Sequence, residues 1–411
     1  MPCWGSKQEI NSGLYSYIVN YYGIEFNRFS NSMSFKTVCS KAIEQLKKLS
    51  KLDPCFDYIL IDESQDFPEE FFELCKLVTS NQIIKVGDIF QNINDNVPLM
   101  SDIDILLNRC YRIDNRTLMF SHGFSLGLFE QNLFRWFTEE EWKTIGYKYE
   151  LLEDDKIKLS RTPTRRLEEE VTEDNPFVKI VNSNSEENLY DSSEKVLEII
   201  REIYSNNPTV QPNDIAIVYL DSDSTMYKLA SNLDYKIRTE LNILTNIGYD
   251  SKKIIDNRIF ITNKYNIKGL EFPFVICIAN KGIQHTVSSR NTVYMAMTRS
   301  FISSYLILNK ATEEVEYLKE ELRKINETNA LVIDKPTNNQ IESADKSLKF
   351  KVSKTMSLDE VINEILTAYK IADEDKIRKI KNATKGMVEN SFEIEEVDEF
   401  IKVIVEKYYE N

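Results

Sequence analysis

Histidine is scarce in this 411-residue chain, two in all, and the six cysteines (Cys3, Cys39, Cys55, Cys75, Cys110 and Cys277) form no C-x-x-C pair. These shortages argue against a zinc site or a disulfide scaffold and leave a reducing compartment as the default. No apolar run approaches the roughly 20 residues of a membrane-spanning helix, and the N-terminus lacks a signal-peptide pattern. The expectation is a cytoplasmic protein with no membrane partner. Basic charge is not in surplus either: 51 Lys and Arg against 66 Asp and Glu give a net charge of -15. That excludes a wholly basic coat for nucleic acid, although a local groove in an acidic protein can still bind phosphates. Internal repeats and low-complexity tracts are also missing. The length suits two or three domains.

What is present centres on one stretch. Phe56-Asp57-Tyr58-Ile59-Leu60-Ile61 is an apolar run that stops abruptly at Asp62-Glu63-Ser64-Gln65-Asp66. Four strand formers or aliphatics in a row predict a parallel strand covered on both faces, and ligands of open α/β sheets bind beyond the carboxyl ends of such strands. An Asp there can hold Mg2+ through its water shell, and a neighbouring Glu can orient and deprotonate an attacking water. The plainer alternative is a helix N-terminus favoured by acids. A helix over residues 69–78 follows, then a second apolar strand at 83–86 that ends in Gly87-Asp88-Ile89-Phe90-Gln91. Two strands ending in acid-bearing turns imply one shared ligand edge.

Periodicity places the other elements. A short helix is predicted over 13–18, a strand over 24–26, and a helix over 35–49 with Val38, Ala42, Ile43, Leu46 and Leu49 on one stripe. Residues 104–137 read as helical around Cys110-Tyr111-Arg112, and 145–180 as extended and polar, with Arg161, Arg165 and Arg166 as a solvated basic turn. A helix over 192–204 leads to strands at 215–220, 258–262, 274–279 and 305–308, with a helix over 293–299. This alternation predicts a second parallel sheet. Beyond residue 310 three amphipathic stripes follow: Val315, Leu318, Leu322 and Ile325; Leu358 to Tyr369 after a Ser357/Glu360 capping box; and Val397 to Tyr408. Residues 326–350 read as a linker.

Five blocks in order carry a family resemblance: Asp62-Glu63-Ser64-Gln65-Asp66, Gly87-Asp88-Ile89-Phe90-Gln91, Tyr111-Arg112, Lys268-Gly269-Leu270-Glu271-Phe272, and Tyr294-Met295-Ala296-Met297-Thr298-Arg299. Together they are similar to motifs II to VI of the UvrD/Rep-like superfamily 1 DNA helicases. The resemblance covers about residues 56–310. It implies two RecA-like parallel-sheet domains, the first N-terminally incomplete, followed by a helical extension: residues 1–103, 104–310 and 311–411. It also implies ATP and Mg2+ as cofactors, with Asp62 on the metal and Glu63 as catalytic base. Gln91 would sense the γ-phosphate, Arg112 and Arg299 would serve as arginine fingers, and Glu271 would contact the nucleotide sugar or phosphates. The implied activity is ATP-dependent translocation on or unwinding of DNA, in repair, recombination or defence, with single-stranded DNA as partner. An AAA-like or other P-loop switch can share the acidic box, but the last two blocks disfavour that reading.

One block is missing, since no G-x-x-x-x-G-K-[ST] occurs anywhere in the sequence. The backbone amides of that P-loop cradle the phosphates, its Lys reaches the β- and γ-phosphates, and its Ser/Thr ligates Mg2+. Three explanations stay open: one half of a split gene whose partner polypeptide carries the P-loop, a shortened homologue that binds without hydrolysing, or a piece of a longer chain. The expectation is little ATPase activity from the chain alone. The alternative function is a non-hydrolysing DNA-binding or regulatory subunit that uses its helical tail for docking. Gln91 is followed by Asn92-Ile93-Asn94-Asp95 rather than aromatics, which predicts a weaker grip on bases.

Overall fold

The computed structural model describes residues 12–30, 33–88, 110–130, 133–162, 176–183, 192–221, 225–249, 253–309, 312–351, 362, 366, 374–387 and 401. The chain divides into two compact units, Met1–Asp88 with Lys354–Asn411, and Ile89–Ser353.

In the first unit the apolar stripes fold as their spacing dictates. Helices α1 (Leu14–Tyr22) and α2 (Phe35–Leu46) bury Tyr15, Ile18 and Val19 and Val38, Ala42, Ile43 and Leu46. Ser34 caps α2 by accepting the Thr37 amide at 3.1 Å. Strand β1 (Phe56–Ile61), helix α3 (Glu69–Leu77) and strand β2 (Thr79–Lys85) form a β-α-β unit in which the two strands run parallel, with Leu60 opposite Ile84. Ile59 and Ile61 pack with Phe71, Phe72 and the α2 stripe, and the Lys85 ammonium lies 3.7 Å from the Phe72 ring centroid.

The opposite face departs from expectation. Tyr58 is 63% exposed and Leu60 66%, with Ile84 and Val86 also exposed, so the strand is covered on one face rather than both. The reason is topological, because α1, α2 and α3 all contribute to the single core under Ile59 and Ile61. The strand expected over 24–26 does not form.

In the second unit, helix α4 (Asn115–Ser125) and helix α5 (Glu139–Thr144) precede strands β3 (Tyr147–Leu151), β4 (Lys156–Arg161) and β5 (Val178–Asn182). Helix α6 (Ser193–Asn206), β6 (Ile215–Tyr219), α7 (Thr225–Lys236), β7 (Thr245–Ile247), β8 (Ile259–Asn263), β9 (Phe272–Ala279), α8 (Val287–Met297) and β10 (Ser300–Leu308) follow. Six strands form one parallel sheet in the order β5-β10-β9-β6-β8-β7.

The two-residue period of a strand splits this sheet's side chains cleanly. Ile215, Ile217, Ile259, Ile261, Phe274, Ile276, Tyr305 and Ile307 pack against α6 and α7 on one side. Ala216, Val218, Phe260, Val275, Cys277, Leu306 and Leu308 pack with α4, α8 and the helix α9 (Thr312–Thr328) on the other. Coverage on both faces explains the unbroken apolar runs in β6, β8 and β9.

Residues 326–350 are not a linker. Strand β11 (Ala330–Asp334) pairs antiparallel with β4, which pairs with β3 in a three-stranded sheet, and helix α10 (Asn338–Lys351) follows. Only a partner more than a hundred residues earlier defines β11, so the local sequence carries no sign of the pairing. The stripe Val315, Leu318, Leu322 and Ile325 is buried on α9. Arg161 is also buried rather than solvated: its Nη1 donates to the Ile145 carbonyl at 2.7 Å, and the guanidinium lies 4.7 Å from the Tyr147 ring centroid. Arg165 and Arg166 fall outside the described residues. So do most of the last two stripes, although Ile362, Leu366 and Ile401 are buried and helix α11 (Glu374–Met387) buries Ile380.

Packing is tight where α4 meets the turn that follows it. A methyl group built on Gly123 would lie 2.4 Å from the Phe129 ring, so only glycine allows that approach.

Candidate functional site

The sequence-predicted residues fall into two places. Asp62 and Glu63 follow β1 directly and are thus at a strand's carboxyl end, as expected. The β1–β2 ladder continues past both strands, with the Val86 amide donating to the Ile61 carbonyl and the Ser64 amide to the Val86 carbonyl, each at 2.8 Å. Asp62 Oδ1 accepts the Glu63 amide at 2.9 Å. Glu63 adopts a left-handed backbone conformation (φ 52, ψ 43) before the short 3-10 turn Ser64–Asp66. A non-glycine residue held there is strained, and such strain tends to collect at functional turns.

Among the described residues no cluster of three His, Cys, Asp or Glu can enclose a metal. The donor set is still suited to Mg2+, which binds through one or two carboxylates and completes its shell with water and substrate phosphates. Gln91 lies outside the described residues.

Arg112, Glu271 and Arg299 come together in the second unit. Arg112 is not helical; it lies in the bend before α4, whose N-terminus Asp114 caps by accepting the Arg116 amide at 2.8 Å. Glu271 and Arg299 flank the amino ends of β9 and β10, where Phe272 and Ser300 are partners in the sheet. The Phe272 amide donates to the Arg299 carbonyl at 3.0 Å. Arg112 Nη1 forms an ion pair with Glu271 Oε1, and Nη2 donates to the Thr298 carbonyl at 3.3 Å. One guanidinium therefore joins three sequence blocks that lie far apart in the chain. Its bidentate fork is what allows a carboxylate and a carbonyl to be held at once.

Arg299 differs from Arg112 in presentation. It is only 3% exposed, and its Nε donates to the Met295 carbonyl at 3.2 Å, so the side chain folds back on the end of α8. Lys268 is likewise buried. Residues 264–271 return the chain from the carboxyl end of β8 to the amino end of β9, fewer than the dozen or so residues of a usual parallel crossover. Gly269 in this span has φ +81, a conformation that L side chains rarely adopt.

Residues 258–307, from β8 through β10, match the family model of the UvrD-like helicase C-terminal domain. Over β8 to β10, then, the chain is similar to a UvrD-like helicase C-terminal domain. Among solved structures, the C-terminal domain of a possible DNA helicase from Lactobacillus plantarum WCFS1 is similar at 14% identity with a TM-score of 0.27, covering 36% of this chain and 84% of that one. No curated protein matches the sequence. No helix among the described residues is long and apolar enough to cross a membrane.

The second unit also contains a buried polar chain that sequence reasoning missed. His122 on α4 shares a 2.6 Å hydrogen bond between Nδ1 and the Tyr147 hydroxyl, and its ring stacks on Tyr294 of α8 at 5.1 Å between centroids. The Tyr294 position is therefore a core contact. The scarcity of histidine was the available signal. Burial, reinforced by the nearby Arg161 charge, holds the His122 imidazole well below its ordinary range.

A depressed folded-state value means that the unfolded chain takes up the proton first. Stability is then fully present above the ordinary pKa of about 6.5 and falls below it, by up to about 1.4 kcal/mol per pH unit. Thermal melts taken from about pH 7 down to about pH 5 should show this loss, and His122→Gln should flatten the slope.

Proposed function

We propose that this helicase-related protein acts on single-stranded DNA and uses ATP, its UvrD-like unit supplying arginine and sugar contacts while a P-loop in another segment or polypeptide supplies the phosphate cradle. The observation that supports this best is the Arg112 knot. Residues from three helicase-like blocks meet at one guanidinium, in a unit whose residues 258–307 match the UvrD-like model. On this reading Asp62 holds Mg2+, which neutralises phosphate charge when bound, and Glu63 orients and deprotonates water. Gln91 senses the γ-phosphate, and Arg112 and Arg299 stabilise the transferring group. Arginine fingers contribute about 10³ to 10⁵ in rate in other phosphoryl-transfer enzymes. The protein works in the cytoplasm, in DNA repair, recombination or defence.

The absent G-x-x-x-x-G-K-[ST] sets the expected result. The purified chain hydrolyses ATP slowly, with or without single-stranded DNA, and Glu63→Gln changes the rate little. Robust hydrolysis lost in Glu63→Gln would show that the chain needs no external cradle. Fluorescence anisotropy with a labelled single strand should detect binding that weakens with salt. Absence of any binding would remove DNA from the proposal. Where a neighbouring reading frame encodes a P-loop, mixing the two products should restore DNA-stimulated hydrolysis.

A further inference from the structure

Arg112 and Glu271 are both assigned to the nucleotide by the reading above, yet in this structure they hold each other. We propose that this pair is an exchange latch that makes Glu271 a specificity-determining residue. A nucleoside triphosphate replaces both halves at once, its phosphates taking Arg112 and its sugar hydroxyls donating to the released carboxylate. The inference rests on the proposal that both side chains contact nucleotide.

The surroundings suit an exchange. The side chains are 33% and 45% exposed, so water screens their attraction and a multiply charged anion can compete with a single carboxylate. A fully buried pair would be far harder to open. The anchors on either side stay fixed when the pair parts. The Thr298 carbonyl keeps its hold on Nη2, and the Phe272 amide bond to the Arg299 carbonyl pins the backbone beside Glu271. Arg112 thus keeps its aim while Glu271 is free to turn.

The two kinds of anion then differ in what they leave behind. Inorganic tripolyphosphate can take the guanidinium, but it brings no donor for Glu271 and leaves a carboxylate beside added negative charge, which is unfavourable. A nucleoside triphosphate brings hydroxyl donors for that carboxylate. Discrimination between nucleotide and bare polyphosphate follows from one side chain.

The test is equilibrium binding of Mg-ATP and of Mg-tripolyphosphate to the full chain by calorimetry, for the native protein, Glu271→Gln, Arg112→Gln and the double variant. Phenylglyoxal labelling of Arg112, followed by peptide mass spectrometry, reports the latch without any ligand. The native protein should prefer ATP by about 1.5- to fivefold, the range expected when one exposed charge contact is gained or lost. Glu271→Gln should tighten tripolyphosphate binding, abolish the preference and speed labelling of Arg112, whereas Arg112→Gln should weaken both ligands whatever stands at 271. Binding with an unchanged preference in Glu271→Gln, or an unchanged labelling rate, overturns the latch and leaves the nucleotide reading intact. No binding of either ligand to any of the four proteins overturns the latch, and restored binding on adding a P-loop polypeptide would still support the nucleotide reading.

Discussion

Trp142→Ala should destabilise the second unit by about 3–5 kcal/mol, the range for removing a large aromatic from a packed core. Trp142 is fully buried and meets Trp136, Phe137 and Tyr147 edge-on, at 5.9, 5.3 and 5.0 Å between centroids. Helix α5 has only six residues and depends on its Thr138/Glu141 capping box and on this one buried side chain for its position. Because the Tyr147 ring is one wall of the cluster, the cavity would also loosen the hydroxyl that serves His122. Urea unfolding followed by circular dichroism measures the loss. Trp142→Phe provides the control: the indole Nε1 has no hydrogen-bond partner, so trimming it sacrifices volume but no polar contact, and the cost should stay below about 2 kcal/mol.

Arg290→Met should cost nearly as much for a different reason. Arg290 is fully buried on α8, its Nη2 lies 2.5 Å from Glu130 Oε1, and its guanidinium sits 4.5 and 5.3 Å from the Phe124 and Phe134 ring centroids. Burial lowers the arginine's pKa, and the Glu130 charge opposes that shift. Methionine keeps much of the length but leaves Glu130 without its main counter-charge. Removing one partner of a buried pair costs about 3–5 kcal/mol. Glu130 is 22% exposed and also lies 3.3 Å from His285 Nδ1, so the expected loss here is smaller, about 2–3 kcal/mol. Adding Glu130→Gln should recover part of it, and the double-mutant cycle in urea gives the coupling directly.

Much of the second sheet was legible because burial on both faces forces unbroken apolar runs, which is why β6, β8 and β9 stand where the sequence placed them. The stripes of α2 and α9 were legible for the matching helical reason. The small antiparallel sheet was not. Its strands are only five or six residues long, and β11, four apolar residues and an Asp, meets β4 only through the fold. Arg161 was misjudged because a cluster of arginines looks solvated until a buried carbonyl and a tyrosine ring are seen to receive one of them.

The site was legible as a set of parts and not as an arrangement. Block order singled out Arg112, Glu271 and Thr298-Arg299, and the fold brings them together. Nothing in their spacing shows that Arg112 spends its charge on Glu271, or that Arg299 turns back toward its own helix, since both depend on side-chain torsions at the amino ends of β9 and β10.

The water-facing side of the β1–β2 pair has a kinetic meaning. Among the described residues the helices of this unit pack on one face of the parallel pair, and small, half-covered elements are the first to exchange their amides with solvent. Asp62 and Glu63 follow one of those strands directly. Amide exchange should therefore open this turn and its left-handed Glu63 earlier than the six-stranded sheet, which hydrogen-exchange mass spectrometry would read directly.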